Sequence, residues 1–190
     1  MRFILAEDSW VLDALSPTEW QLISEIPLMA SGVHFTEKTR ERLFPSPLAN
    51  DALADENTIT QLEDWEELIK PELMEAFETS RDSVQSDLEK VETIPIESII
   101  PSEEADLNFR VSEFYRLEVK IENTELWYSA LNQARLLMNE EYDLASSEDR
   151  LLIQMEGPDA VDENRLLLLA QYEIYSVIQN ILIENVMEAG

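Results

Sequence analysis

The feature that most constrains the fold is the stretch from residue 125 to 188, where apolar residues recur at the spacing of α-helices. In its first part, one stripe is apolar when successive residues are turned by about 100°: Trp127, Leu131, Ala134 and Met138. The last part has a wider apolar arc, which needs covering on most of its girth: Leu167, Leu168, Ile174, Ile178, Ile181 and Leu182. We therefore predict two long helices, 125–143 and 162–188, that pack against each other.

A row of polar side chains borders the stripe of the first helix. Tyr128, Asn132 and Arg135 lie at the margin between core and water, about 80° round from Trp127. Asn132 can donate and accept hydrogen bonds at once, and Arg135 offers a planar fork that fits a carboxylate or the carbonyls ending another helix. With 41 acidic and 13 basic residues in the chain, we expect Arg135 to bind an internal acid. We interpret the three residues as an internally bonded structural clamp, with an anion-binding site as the alternative.

Three helices are predicted in the first half of the chain, over 17–29, 36–43 and 58–90. The first begins after an N-cap serine, Ser16, with Glu19 placed to close a capping box. Pro71 interrupts the third, because proline removes an amide donor and its ring clashes with the preceding turn. We expect a kink or a break at Lys70. A short helix of about two turns is predicted to follow Ser147.

The strand patterns are shorter. Residues 115–121 alternate between apolar and charged side chains, which is typical of a half-buried strand. The N-terminal runs RFILA and SWVLDAL are compatible with strands, although the second could equally begin a helix. Residues 94–101 are β-branched but flanked by prolines, which indicates an edge strand or an extended linker. The predicted fold class is mainly α, a single-domain helical bundle over 1–190 with a small β element, in which strand 115–121 can pair with the N-terminal and 92–100 segments.

The charge of the chain is strongly acidic and unevenly placed. A formal charge of -28 means that phosphate backbones and anionic lipid surfaces repel the protein. We therefore expect neither direct nucleic-acid binding nor membrane association. Residues 51–104 form an acidic helical section, with 17 carboxylates against three basic residues and hence a formal charge of -14. Glu63, Glu67, Glu75 and Glu78 are the predicted surface for a basic protein partner, and a solubility device or an adaptation to salt is the alternative.

Several kinds of chemistry are excluded by residue types that the chain lacks. It has no cysteine, which removes disulfides, thiolate nucleophiles and thiolate metal sites. Its three glycines stand apart, so neither a phosphate-binding glycine loop nor a nucleophile elbow can form. The single histidine, His34, cannot supply the paired histidines of zinc or di-iron sites. We predict no cofactor, no metal and no catalytic residue, and hence a protein that is not an enzyme.

The N-terminus and the last helix bear on localisation. A short apolar run followed at once by Glu7 and Asp8 does not suit a secretory signal, so we expect a cytoplasmic protein. Residues 166–187 are long enough to span a bilayer, but polar residues interrupt them, and a buried helix is the better interpretation. The residues leave the oligomeric state open, and a homo-oligomer is compatible with them.

The segment LWYSALNQARLLMNEEYDL, followed by a long apolar terminal helix, resembles the end of an uncharacterised bacterial family, domain of unknown function 2017. In that family a Trp, a Leu-Asn pair and an Arg-Leu pair recur in one helix, and here they are Trp127, Leu131-Asn132 and Arg135-Leu136. The element RLFP at 42–45 is similar to the family's Arg-Leu-Leu-Pro, whereas Asn139 and Glu140 replace the family's usual glycine. The resemblance implies no established activity. Members of the family are often encoded beside a Clp-protease adaptor, which implies at most a link to proteolysis or its regulation.

Two functions from different classes follow. The leading hypothesis is a non-enzymatic interaction or regulatory protein that presents the acidic surface of residues 51–104 to a basic partner. The alternative is a small-molecule or anion-binding domain, or an unrecognised hydrolase, that uses Arg135, Asn132 and Tyr128. A shared pocket around these three side chains would favour the alternative, and bonds to neighbouring helices would favour the first hypothesis.

Overall fold

The helices and strands are those of a computed structural model, which describes residues 1–45, 56–95, 113–146 and 148–188. The strands are β1 (Arg2–Leu5), β2 (Ser9–Leu15), β3 (Glu92–Pro95) and β4 (Glu113–Lys120). The α-helices are α1 (Pro17–Ser24), α2 (Ile26–Ser31), α3 (Glu37–Glu41), α4 (Glu56–Asp64), α5 (Lys70–Leu88), α6 (Thr124–Tyr142), α7 (Glu148–Glu156) and α8 (Glu163–Leu182). Two π-helical segments, Trp65–Ile69 and Ile183–Met187, continue α4 and α8.

The four strands form one antiparallel sheet in the order β1-β2-β4-β3. Both predicted pairings of the central strand are confirmed, because β4 pairs with β2 from the N-terminus and with β3 from the 92–100 segment. The run SWVLDAL is a strand rather than a helix. Pro95 ends β3 at the edge of the sheet, where a missing amide donor costs no internal pairing; the rest of the 94–101 prediction lies outside the described residues. The fold is mainly α with a small β element, as predicted.

An irregularity in β2 places two leucines that are three residues apart on the same face of the sheet. The register between β2 and β4 shifts between Leu12 and Leu15, and Ala14 takes a left-handed backbone conformation with a φ of 55°. The extra residue of such a bulge turns both leucines toward the core, where both are fully buried. Between them, Asp13 accepts a hydrogen bond from Nε of Arg116 at 2.8 Å and another from the guanidinium of Arg2.

The predicted helix over 17–29 is two helices in the structure. Its capping box forms as expected, because Ser16 Oγ accepts from the amide of Glu19 at 3.3 Å and Glu19 Oε2 accepts from the amide of Ser16 at 2.8 Å. Helix α1 then ends at Glu25, and α2 begins directly after it with Pro27 in its first turn. Proline has no amide to continue the hydrogen bonds of α1, but it fits the start of a new helix.

The predicted interruption at Lys70 is a π-helical segment rather than a sharp kink. The Lys70 amide donates to the carbonyl of Trp65, five residues back, and α5 starts there with Pro71 in its first turn. A wider turn places the proline ring where no amide is needed. The helical path therefore continues into α5.

Helix α6 is the centre of the core, and α2, α5 and α8 pack around it. Its buried side chains are Thr124, Trp127, Ala130, Leu131, Gln133, Ala134, Leu137 and Met138. The predicted packing of the last two long helices is thus present. Helix α8 with its π-helical extension is long and apolar enough to cross a membrane, and 39% of its most apolar window is buried within the described structure. Its buried side chains include Tyr172, Tyr175, Ile178 and Leu182. Burial of a large aliphatic side chain such as Ile178 or Leu182 contributes roughly 1.5–3 kcal/mol to the stability of the fold.

Candidate functional site

Arg135 joins α6 to α8, and its partner is not the expected acid. Its Nη1 donates a hydrogen bond to Oε1 of Gln179, and its guanidinium carbon lies 5.1 Å from the ring centroid of Tyr172. The Nε atom is buried and has no partner within the described parts of the chain. The expectation of an internal carboxylate is therefore wrong, because the residues of α8 that reach Arg135 are an amide and an aromatic ring. Both contacts are internal, as the clamp hypothesis requires.

The other two residues of the predicted polar row do not join Arg135. Asn132 is exposed and Tyr128 is half-buried, and across the described ranges neither side chain has a hydrogen bond. The prediction that Asn132 bonds internally is thus wrong. The buried arc of α6 is turned away from it, since three helices pack on the other sides of α6.

A second polar residue that holds α6 in place is Gln133, which sequence reasoning missed. It is buried, and its Nε2 donates to Ser80 Oγ of α5 at 2.8 Å and to Ser129 Oγ at 3.2 Å. Its Oε1 accepts from Nη1 of Arg81 at 3.0 Å. Gln133 lies beside the side of the helix that Leu126, Ala130 and Leu137 make apolar, but an amide side chain gives no apolar signal of its own burial.

The role of binding the carbonyls that end a helix belongs to Arg165 of α8. Its guanidinium donates to the carbonyl of Tyr142 and, at 3.2 Å, to that of Asp143. These carbonyls lie at the C-terminal end of α6, where a cation opposes the partial negative charge of the helix end. Nε of Arg165 also donates to Asp149 Oδ2 at 2.8 Å, so one side chain ties α8 to the start of α7.

A buried carboxylate lies where α5, α6 and the sheet meet. Asp87 Oδ2 accepts from Nε1 of Trp127 and Nδ2 of Asn123, both at 3.0 Å, and Oδ1 accepts from Nζ of Lys90 at 2.8 Å. Burial by itself raises the pKa of Asp87, but the hydrogen bonds from Lys90, Trp127 and Asn123 outweigh it and hold this pKa below its ordinary value. Asp87 is therefore a charged structural anchor.

Asp87 also forms the wall of a cleft of about 300 Å³ beside the sheet, together with Lys90, Glu92, Arg116, Glu118 and Lys120. Its cations already have partners: Lys90 binds Asp87, Arg116 binds Asp13 and, at 3.2 Å, Lys120 binds Glu122. Burial raises the pKa of Asp13 and the hydrogen bonds from Arg2 and Arg116 lower it by more, so Asp13 also stays ionised. None of the three cations of this cleft is therefore free to bind an external anion.

The predicted partner surface is exposed along one continuous helical path. Glu63 lies on α4, Glu67 on the π-helical segment, and Glu75 and Glu78 on α5, and all four are exposed. None of the four takes part in an ion pair within the described ranges. Large apolar side chains stand among them: Leu68 is 60%, Met74 52% and Ile69 46% exposed. We call these seven residues, Glu63, Glu67, Leu68, Ile69, Met74, Glu75 and Glu78, the acidic helix surface.

Two further observations bear on catalysis. His34 is exposed in the turn that follows α2. Within residues 1–45, 56–95, 113–146 and 148–188, no group of three or more His, Asp or Glu side chains is placed to hold a metal ion. That the protein has no cofactor and is not an enzyme stays a prediction.

A family model described as Domain of unknown function (DUF2017) matches residues 3–186, which is nearly the whole chain. No curated protein and no solved structure matches the chain.

Proposed function

The chain belongs to the DUF2017 family, whose function is unknown. From the surface of the protein, we propose that it is a non-enzymatic interaction or regulatory protein. It binds a basic partner through the acidic helix surface. The link to proteolysis that the resemblance implies is part of this proposal. We also propose a cytoplasmic protein that binds neither nucleic acid nor membrane directly, in view of its formal charge of -28.

The observation that carries the proposal is the combination of unpaired carboxylates with exposed apolar side chains on one helical path. A solubility device needs the charges alone, whereas Leu68, Met74 and Ile69, which are 60%, 52% and 46% exposed, are the kind of apolar side chain that a binding surface uses. Carboxylates around such a patch attract a basic partner and raise its association rate.

The alternative, an anion-binding domain or hydrolase that uses Arg135, Asn132 and Tyr128, has less support. The three side chains do not meet, since Arg135 contacts α8 while Asn132 faces the solvent. Neither the cleft beside the sheet nor the groove between α7 and α8 is lined by any of these three residues.

The test is a charge swap in which Glu63, Glu67, Glu75 and Glu78 are all replaced by lysine. A matched variant replaces four other exposed glutamates, Glu7, Glu41, Glu113 and Glu125, and therefore has the same net charge. Affinity capture from the native cell at low salt should recover a basic partner with the wild type and with the matched variant, but not with the charge swap.

Circular dichroism first confirms that both variants are folded. If both lose the partner equally, the net charge of the protein rather than this surface is responsible. If neither loses any partner, the acidity is a solubility device and the proposal is wrong.

A further inference from the structure

The outward face of α8 has an apolar seam that nothing in the described ranges fully covers. Leu167 is 48% and Val177 43% exposed, Ala170 is exposed, and Ile174 and Ile181 are half-buried. These five residues are spaced three and four apart along the helix. Such spacing forms a narrow stripe of the kind that packs against another helix. We call these five residues the α8 seam.

A groove between α7 and α8 adjoins this seam. It has a volume of about 470 Å³ and is lined by Arg150, Ile153, Leu166, Leu169, Ala170 and Glu173. Nε of Arg150 donates to Glu173 Oε1 at 2.7 Å, so the two charged residues of the lining satisfy each other. Helix α7 buries none of its side chains in this fold, although four of its nine residues are large and apolar. A short helix of this kind depends on packing for its stability.

The charges around the seam specify what can bind there. Residues 148–188 hold nine carboxylates against two arginines, a formal charge of -7. Both arginines are already engaged, Arg150 with Glu173 and Arg165 with Asp149. Among the described residues, exposed carboxylates without an ion pair thus remain at both ends of the stripe: Glu163 lies four residues before Leu167, and Glu184 three residues after Ile181. A ligand that matches the α8 seam is therefore apolar on one face and carries positive charges beside that face.

We propose that the α8 seam and the adjoining groove dock a basic amphipathic helix of another protein. An apolar helix face satisfies the seam, and lysine or arginine side chains neutralise its acidic border. A second copy of this chain would bring the same negative charge to the contact, and an anionic lipid surface would be repelled in the same way. This surface shares no residue with the acidic helix surface, so the inference stands apart from the proposed function.

The absence of cysteine from the chain gives a direct test, because a single introduced thiol can carry an environment-sensitive fluorophore. An Asn180→Cys variant places this fluorophore, the α8 label, at an exposed position one turn from Val177. A Thr79→Cys variant, also at an exposed position, places the same fluorophore, the α5 label, one turn from Glu75. The probe is a synthetic amphipathic helix of about 18 leucine and lysine residues, long enough to be helical when bound, and a leucine and glutamate peptide of equal length is its control.

The basic peptide should change the fluorescence of the α8 label in a saturable way, whether or not the acidic helix surface, which the α5 label reports, binds the peptide as well. Leu167→Ser and Val177→Ser should each weaken the binding about tenfold, because each removes an apolar contact from the seam. Leu68→Ser, a matched change of an exposed leucine on the acidic helix surface, should alter the binding by less than about twofold.

Other results would overturn the inference. A response of the α5 label alone would place the basic helix on the acidic helix surface, and unchanged binding in all three serine variants would show a merely electrostatic attraction. A signal from the α8 label that grows with protein concentration without peptide would identify a second copy as the occupant. A response to phosphatidylcholine vesicles and not to the peptide would identify a lipid surface.

Discussion

At the scale of single residues, the two polar fasteners of α6 lie on opposite margins of its buried arc. Gln133 bonds to Ser80 and Arg81 on the side of α5, while Arg135 bonds to Gln179 and stacks on Tyr172 on the side of α8. Buried or half-buried polar groups stabilise a fold only when they find such partners. Each fastener therefore holds one specific neighbour of α6.

Arg135→Ala should lower the free energy of unfolding by roughly 1–3 kcal/mol, because it removes a charge-assisted hydrogen bond and a cation–π contact. Asn132→Ala on the same helix should change it by less than about 0.5 kcal/mol, since Asn132 is exposed and alanine is a good helix former. Urea unfolding followed by circular dichroism measures both. An Arg135→Ala variant as stable as Asn132→Ala would contradict the clamp interpretation.

At the scale of elements, the junction of α5, α6 and β4 depends on one carboxylate. Asp87, in the last turn of α5, receives hydrogen bonds from Asn123 and Trp127 at the start of α6. Lys90, just beyond α5, completes the set. The charged form of Asp87 therefore determines how firmly the two helices are joined.

Asp87→Asn should destabilise the protein most at neutral pH. The pKa of Asp87 in the folded state lies below its ordinary value of 3.8, so the folded protein binds fewer protons than the unfolded chain does. This contribution to stability is complete above the ordinary value and is lost as the pH falls through the folded-state pKa. The difference between wild type and Asp87→Asn in free energy of unfolding should thus shrink below a pH of about 4.

Urea unfolding at a series of pH values measures this difference. Asp82→Asn provides the matched control, because Asp82 is exposed on the same helix. A difference for Asp87→Asn that stays constant down to a pH of about 3 would show that its carboxylate acts only through shape.

At the scale of the whole molecule, a formal charge of -28 opposes folding, because the folded state brings like charges together and the unfolded chain relieves the repulsion by expanding. Within the described residues, Arg2, Arg116, Arg150 and Arg165 each neutralise an internal carboxylate, and the 41 acidic residues still far outnumber the 13 basic ones. The fold is held together against this repulsion by the apolar core around α6.

Thermal stability should therefore rise with sodium chloride. The Debye length falls from about 10 Å at 0.1 M salt to about 3 Å at 1 M, which screens the repulsion. Replacing Glu63, Glu67, Glu75 and Glu78 by glutamine should raise the melting temperature at low salt and reduce its dependence on salt. Differential scanning calorimetry of both proteins over this salt range measures the effect. A melting temperature that falls or stays constant would contradict the repulsion argument.

Most of the elements follow from local patterns in the sequence. The alternation of residues 115–121 marks β4, the capping box marks the start of α1, and the helical spacing of apolar residues marks α6 and α8. These signals depend on neighbours within a few residues, which is why they are legible without the fold. Pro27 and Pro71 likewise produce a helix break and a π-helical segment through the lost amide and the ring clash.

The contacts between elements could not be read in the same way, because they depend on which neighbour covers each side of a helix. The periodicity of α6 defines an apolar stripe, but only the packing of α2, α5 and α8 around it buries Gln133, leaves Asn132 in water and gives Arg135 an amide instead of a carboxylate. The apolar arc of α8 predicts cover around most of the helix, yet the described parts of the chain supply that cover on one side only. The residue types thus establish the helices, the strands and the acidity of the protein. The three-dimensional arrangement decides which polar groups have partners and which apolar face stays uncovered within the described residues, because burial depends on neighbours that are distant in sequence.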